Sequence, residues 1–342
     1  MKYIAVFFIT LLASSVAYFS IALALTPAPI EAEYWVREMI VIKRNIVKQF
    51  SGKEKVIVVS GSNALFGIDA KQLSDELHTP VINFGLHAGL PLSVILSEAE
   101  SNSEKGDVVI LPLESSYYCI KEPTSWQVRN IIAWDREQWE NRTIFNRIKA
   151  LRMFNATFIL ELAQAEVREK LFPWSIRERL IALDDEAILH KATVKFVPDK
   201  FAYSAYNLDA LGDMTMTSNS TFSGIARRAD LKINVCQTSL EALNTFAGRM
   251  KRKGVTIYFA NTPYVKLNDL DMQKVKSSSE QLTIKLSEIA PMLDDKSQMI
   301  FPIELFFNSD LHLNAEGRKL RTKMLADDMR SNESLLAIIN QE

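Results

Sequence analysis

Cysteine and histidine are scarce in this chain of 342 residues. Cys119 and Cys236 are the only cysteines and form no Cys-x-x-Cys, and the four histidines (His78, His87, His190, His312) are scattered. This inventory makes no zinc pattern and no disulfide framework of the small-scaffold kind. The plain reading of the cysteines is two separate buried thiols; a Cys119–Cys236 disulfide is the alternative in an oxidising compartment. Glycine and proline stand at 11 each, which excludes collagen-like and low-complexity chains. Neither sign of charge is in excess. Lys+Arg number 40 and Asp+Glu 41, for a net charge of −1, so nothing calls for nucleic acid as a partner. Neither a Gly-x-x-x-x-Gly-Lys nor a Gly-x-Gly-x-x-Gly pattern follows the first apolar strand, so phosphate-loop and dinucleotide readings fail. No metal or other cofactor is implied.

What the chain does have is a long apolar beginning. Residues 3–25, YIAVFFITLLASSVAYFSIALAL, carry no charge, and about 20 such residues cross a bilayer as a helix. Lys2 precedes the run, Pro27 and Pro29 end it, and Tyr34 and Trp35 follow at interface depth. A cleaved signal peptide would use Ala22-Leu23-Ala24, but its apolar core is typically only about 7–15 residues. The expectation is therefore an uncleaved signal anchor over residues 1–30. Its short N-terminal side would be cytoplasmic, and residues 31–342 would form a domain on the periplasmic or extracellular side of the cell membrane.

Beyond the run, Trp35, Met39, Ile42, Ile46 and Phe50 recur at steps of three or four and predict a connecting amphipathic helix. Short apolar runs then alternate with helical stretches. Lys55-VIVVS-Gly61, Pro80-VINF-Gly85, Asp107-VVILPL-Glu114 and Val255-TIYFA-Asn261 read as buried strands, with a last short one near 298–302. The helices fall at 70–77, 92–103, 239–252, 271–289 and 314–329. This alternation predicts an α/β fold with a parallel sheet and helices on both faces. Residues 115–235 interrupt it and read as an insertion, mostly helical in its first part and irregular over 195–235. Trp126, Trp134, Trp139 and Trp174 lie in it. Core packing is the plain account of these tryptophans, and a platform against a membrane or protein is the sharper one.

Active residues of open parallel sheets sit in loops at the carboxyl ends of strands. Three such places stand out. Ser60-Gly61-Ser62-Asn63 ends the first strand, where a serine can meet helix amides; alone it could be an ordinary helix cap. Asn83-Phe-Gly85-Leu-His-Ala-Gly89 ends the second, where glycine lets N–H groups approach a reacting oxygen; alone it is a tight turn. Asp310-Leu-His312-Leu-Asn-Ala-Glu-Gly317 precedes the last long helix, where Asp310 can orient an imidazole that takes a proton from a serine; alone it is a surface histidine.

In this order the three resemble the SGNH (GDSL-type) superfamily of serine hydrolases and acyltransferases, over roughly 55–115 and 236–330. The resemblance implies a three-layer, flavodoxin-like sheet. It also implies Ser62 as nucleophile, His312 as general base, Asp310 as its orienter and Gly85 as oxyanion donor, with Asn83, Asn63 and Asn261 around the oxyanion or substrate. Departures are visible. Gly61 stands where the family has Asp, and Ser309 takes the usual Asp place before the histidine, although a shorter Asp-x-His spacing occurs in the alginate-acetylation branch. Glu114-Ser-Ser-Tyr-Tyr118 replaces the Gly-x-Asn-Asp block.

The anchor, connector and Gly-Ser block together resemble the D-alanyl-lipoteichoic acid transfer and alginate O-acetylation proteins. They imply an acyltransferase that O-acetylates an exported cell-envelope polysaccharide. Its partners would be a multi-spanning membrane-bound O-acyltransferase or the export machinery. The alternatives are an esterase or deacetylase of the same fold, and a catalytically inactive module assisting export or modification.

Overall fold

The structure is a computed structural model that describes residues 2–26, 29–119, 123–172, 174, 182–194, 203–216, 221–224, 232–293 and 299–339. Pro27, Gln298 and much of the expected irregular stretch 195–235 lie outside these residues. The chain divides into two compact units. One comprises Met1–Arg37 and Lys121–Asp185, the other Glu38–Ile120 and Glu186–Glu342.

In the first unit the apolar run forms α1 (Lys2–Leu25), a helix long and apolar enough to cross a membrane. The connecting helix α2 (Tyr34–Lys48) starts here and continues into the second unit. Four helices follow from the insertion. Among the described residues these are α6 (Ser125–Trp134), α7 (Arg136–Glu140), α8 (Ile144–Leu151) and α9 (Ala156–Leu171). Thr124 opens the first of these with a reciprocal capping box to Gln127, which satisfies two otherwise orphaned N–H groups. Ala22 and Ile30 are buried with Val128, Trp139, Leu151 and Leu162 in one core. Trp139 Nε1 donates to Thr26 Oγ1 at 3.1 Å, and Arg129 grips Glu161 at 2.6 and 2.7 Å. Trp139 thus bears out the core-packing account, whereas Trp174 is 79% exposed.

The second unit carries the sheet. Its first part runs β1 (Val56–Ser60), α3 (Ser62–Gly67), α4 (Ala70–Leu77), β2 (Val81–Gly85), α5 (Leu92–Ser101) and β3 (Val108–Leu111). After α10 (Asp185–Val194) come α11 (Gln237–Lys253), β4 (Thr256–Phe259), β5 (Tyr264–Val265), α12 (Asp269–Ser287) and β6 (Ile300–Phe301). The chain ends with β7 (Phe306–Ser309), β8 (His312–Leu313), α13 (Ala315–Ser331) and α14 (Glu333–Ile339). The main sheet is parallel with order β2-β1-β3-β4. These strands are continuous apolar runs because both faces are covered. Val56, Val58, Val108, Ile110 and Tyr258 point to one face, against residues of α3, α4, α13 and α14. The alternate residues Ile57, Val59, Val109 and Phe259 point the other way, where α5 and α11 pack side by side with Arg249 bonded to Glu100 at 2.7 Å. The strand expected near 298–302 does form, but it pairs with β5 rather than with the main sheet. Phe259 instead bridges to Met292.

The expected insertion at 115–235 is divided. Residues 121–185 belong to the helical unit, and the described parts of 186–235 belong to the sheet. Leu211 O accepts the Asn83 N–H at 2.9 Å, along the outer edge of β2. Lys43 Nζ donates to Asn83 O and Gly212 O, both at 2.7 Å. Burial pushes the Lys43 ammonium down to about 7 and the Asp213 carboxyl up to about 7, because the charged forms lose their water there.

The two cysteines, read as separate thiols, form a disulfide with Cα atoms 4.8 Å apart and a separation of 117 positions in sequence. The Cys236 N–H also donates to Tyr118 O at 2.8 Å. The bridge therefore closes the neck of the insertion, just after β3 and just before α11. Cross-linking a loop of this length removes unfolded-state entropy worth about 4–5 kcal/mol. Cys119→Ser and Cys236→Ser in the full chain are each expected to lose about 2–5 kcal/mol in urea unfolding. The double variant should be no worse than either single one, and reducing agent should destabilise only the wild type.

Candidate functional site

The sheet delivers the candidate residues to one end. β1 stops at Ser60, and Gly61 turns the chain into α3, whose first residue is Ser62. This turn is tight. A Cβ on Gly61 would lie 2.6 and 2.8 Å from the Glu114 carboxylate oxygens and 2.9 Å from Ala88 Cα. Glu114, just beyond β3 and only 2% exposed, accepts from Gly61 N–H (3.1 Å), Asn63 N–H (2.9 Å) and Ser60 Oγ (3.0 Å). From the other side Arg321 of α13, also buried, donates to Asn63 O at 2.9 Å, Asn63 Oδ1 at 3.0 Å and Asn261 O at 3.3 Å. Gly67 leaves room for this guanidinium, since a Cβ there would lie 2.6 Å from Nη1.

Held in this way, Ser62 meets His312. Ser62 Oγ and His312 Nε2 are 2.8 Å apart, across 250 residues of sequence, and both side chains are buried. The other ring nitrogen, Nδ1, lies 2.7 Å from Asn308 Oδ1. Asn308 Nδ2 donates to Tyr203 Oη at 3.0 Å, which turns Oδ1 toward the imidazole. An acceptor at Nδ1 places the proton there and leaves the Nε2 lone pair facing the serine hydroxyl. Phe66 stacks on the imidazole at 4.5 Å between centroids. The arrangement is a serine hydroxyl at Nε2 and, at Nδ1, the Asn308 amide oxygen with Tyr203 Oη 3.4 Å away.

The hairpin β7–β8 explains this choice of orienter. Ser309 and His312 pair across it, with an irregular register, so that the residues at 310 and 311 form its tip. Asn308 lies four residues from His312 on the facing strand, and it is Asn308, not Asp310, that provides the 2.7 Å contact to Nδ1. Asp310 is buried at the tip. The Asp-x-His spacing points to Asp310, and the strand pairing puts Asn308 at Nδ1.

The other predicted residues fall out differently. Gly85 N–H donates to Asn83 Oδ1 at 2.8 Å, so that amide already has an acceptor. A Cβ on Gly85 would lie only 2.8 Å from Leu65 Cα, so this glycine serves the close approach of β2 to α3. Asn83 Nδ2 donates to Ala64 O at 2.9 Å and Asp213 Oδ1 at 2.8 Å. Asn63 Nδ2 donates to Ser60 Oγ at 2.9 Å and Pro112 O at 2.8 Å. These two asparagines are buried fastenings of the turn. Asn261 contributes its carbonyl to the Arg321 contact.

Among the amides after β2, Leu86 N–H donates to Ser60 O and Gly89 N–H to His87 Nδ1. The N–H groups of Ala88, whose Cα would lie 2.9 Å from a Cβ on Gly61, and of Ser62, at the start of α3, donate to no described residue. Ala88 gave no signal in the sequence, because a free amide has no side-chain signature. No protein-family model matches the chain, and no curated protein does either.

Asn308→Leu is expected to slow serine-directed phosphonate labelling by on the order of 10²-fold, the scale of lost acid–base assistance. Asn308→Asp should keep the Nδ1 acceptor and label at least as fast as wild type, with rates read by intact mass over a pH series. Equal losses in both variants would mean that Asn308 only supports the fold.

Proposed function

We propose that the chain is a membrane-anchored serine acyl-transfer enzyme of the SGNH type, with a flavodoxin-like sheet, acting outside the cytoplasmic membrane. The observation that carries this reading is the 2.8 Å contact between Ser62 Oγ and His312 Nε2, with Asn308 at Nδ1. His312 takes the hydroxyl proton as Ser62 Oγ attacks an acyl carbonyl. The oxyanion is met by the N–H groups of Ser62 and Ala88. The imidazolium then protonates the leaving group, which gives an acyl-Ser62 and a neutral histidine. In the second half His312 removes a proton from an acceptor hydroxyl, which attacks the acyl group and frees Ser62.

A sugar hydroxyl of an exported cell-envelope polysaccharide is the acceptor we favour, with acetyl as the acyl group. α1 supports this, because a helix of its length and composition holds the site beside a membrane-borne acyl donor, such as a multi-spanning O-acyltransferase. The Cys119–Cys236 disulfide supports the non-cytoplasmic side, where such bonds persist.

The test uses the full chain in detergent with an activated acetyl ester, followed by intact mass and transfer of labelled acetyl to cell-envelope polysaccharide. Wild type should carry one acetyl group, discharged on adding polymer. Ser62→Ala should carry none, with transfer reduced by about 10³-fold or more. Acetyl transfer that survives in Ser62→Ala would sink the proposal. Discharge that is rapid without polymer would reassign the same chemistry to an esterase.

A further inference from the structure

The helical unit offers two observations that fit one another. The first is the length of α1. Its last turns, with Phe19, Ala22, Leu23 and Leu25, pack into the core shared with α8 and α9. Only residues 3–18 stand clear of that core, and the large apolar side chains among them are exposed, Tyr3 and Leu12 for example. Sixteen residues at ~1.5 Å each reach about 24 Å, whereas the hydrocarbon core of a bilayer is about 30 Å thick. For Lys2 to reach the far interface, the end of α1 that is packed against the bundle must itself sit below the near interface, by roughly 6 Å.

The second observation is the outer face of α9. Phe158, Leu162 and Ala165 are buried in the unit's core. Leu160, Val167 and Leu171 are 62%, 51% and 61% exposed. At ~100° per residue these three lie within about 40° of one another and on the side opposite Phe158 and Leu162. α9 is thus apolar on two opposite faces, with Glu161 and Arg168 on one flank and Glu166 and Lys170 on the other. Leu160 and Val167, with Ala163, Gln164, Arg168 and, just past the helix end, Phe172, line an open groove of about 410 Å³. Trp174, 79% exposed, and Lys170 stand at its end, the residue types that gather at the headgroup level. α9 is too short and too charged to span a bilayer, but an interfacial helix sinks its apolar face by about 5–10 Å. That depth matches the shortfall of α1.

We infer that the helical unit is partly sunk in the lipid bilayer, with the Leu160–Val167–Leu171 face of α9 in contact with acyl chains and its charged flanks at the headgroups. The occupant of this face is lipid, and the inference rests on α1 lying in the membrane. The unit is then a monotopic platform that shortens the anchor's reach.

The test places single cysteines in the full chain, whose native cysteines are disulfide-bonded, and labels them with an environment-sensitive fluorophore in phosphatidylcholine–phosphatidylglycerol vesicles. Sites are Leu11→Cys in α1, Val167→Cys and Leu171→Cys in α9, and Lys285→Cys on the exposed side of α12. The α9 labels should be quenched several-fold more by doxyl lipid than the Lys285 label, and several-fold less by aqueous iodide. Iodide quenching at 167 and 171 equal to that at 285, with the Leu11 label still quenched by lipid, would overturn the inference and leave the anchor intact. Iodide quenching at Leu11 as well would overturn the anchor reading together with it.

Discussion

The candidate site depends on one buried carboxylate. The turn from β1 into α3 leaves N–H groups at Gly61 and Asn63 with no strand or helix partner, and Glu114 accepts both, together with Ser60 Oγ. Hydrogen bonds to a charged acceptor contribute about 1.5–3 kcal/mol each, and a buried carboxylate is tolerated only when it is so satisfied. Arg321 approaches the same segment from α13, and Asn63 lies between the two charges. The turn is therefore fastened on both sides before any catalytic group is considered. Ser62 is the residue between the two amides that Glu114 holds, so the backbone fixes its Cα–Cβ bond and the contact to His312 Nε2 sets its hydroxyl.

The nearest described contact of His312 Nδ1 is a neutral amide oxygen, that of Asn308. A carboxylate at Nδ1 both selects the tautomer and stabilises the imidazolium that forms during proton transfer. An amide oxygen does only the first. Cysteine–histidine–asparagine proteases use the same neutral partner, where the nucleophile ionises more readily than a serine. In the proposed reaction a serine would need more of that stabilisation from the oxyanion side, the role assigned there to the N–H groups of Ser62 and Ala88.

The sheet was legible because parallel strands buried on both faces are continuous apolar runs. Residues 56–60, 81–85 and 108–111 carry that signal in the side chains themselves. The Ser62–His312 partnership was legible only as a motif order, since 250 residues separate the two. Asn308 was not legible. Its place beside Nδ1 is set by the register of a short irregular hairpin, while spacing alone pointed to Asp310. Gly85 was expected to offer its N–H to a reacting oxygen, but that N–H donates to Asn83 Oδ1, and which acceptor an amide finds is decided by packing. The disulfide was open in sequence because pairing across 117 residues depends on the ends of an insertion being brought together. The second apolar face of α9 was hidden for a different reason. Helical periodicity finds one buried stripe easily, but two opposite stripes blur the contrast on which it relies.

The disulfide at the neck has a topological consequence. Because Cys119 and Cys236 lie at the two ends of the insertion, every residue from 120 to 235 belongs to a closed covalent ring. A single peptide-bond cleavage inside that ring opens it without dividing the molecule. The two pieces stay joined at the neck, β1–β3 remain tethered to α11 and β4, and the cut becomes visible as two fragments only after reduction. A protease could thus nick this protein between Cys119 and Cys236 and leave the sheet, with the Ser62 and His312 side chains, a single covalent body.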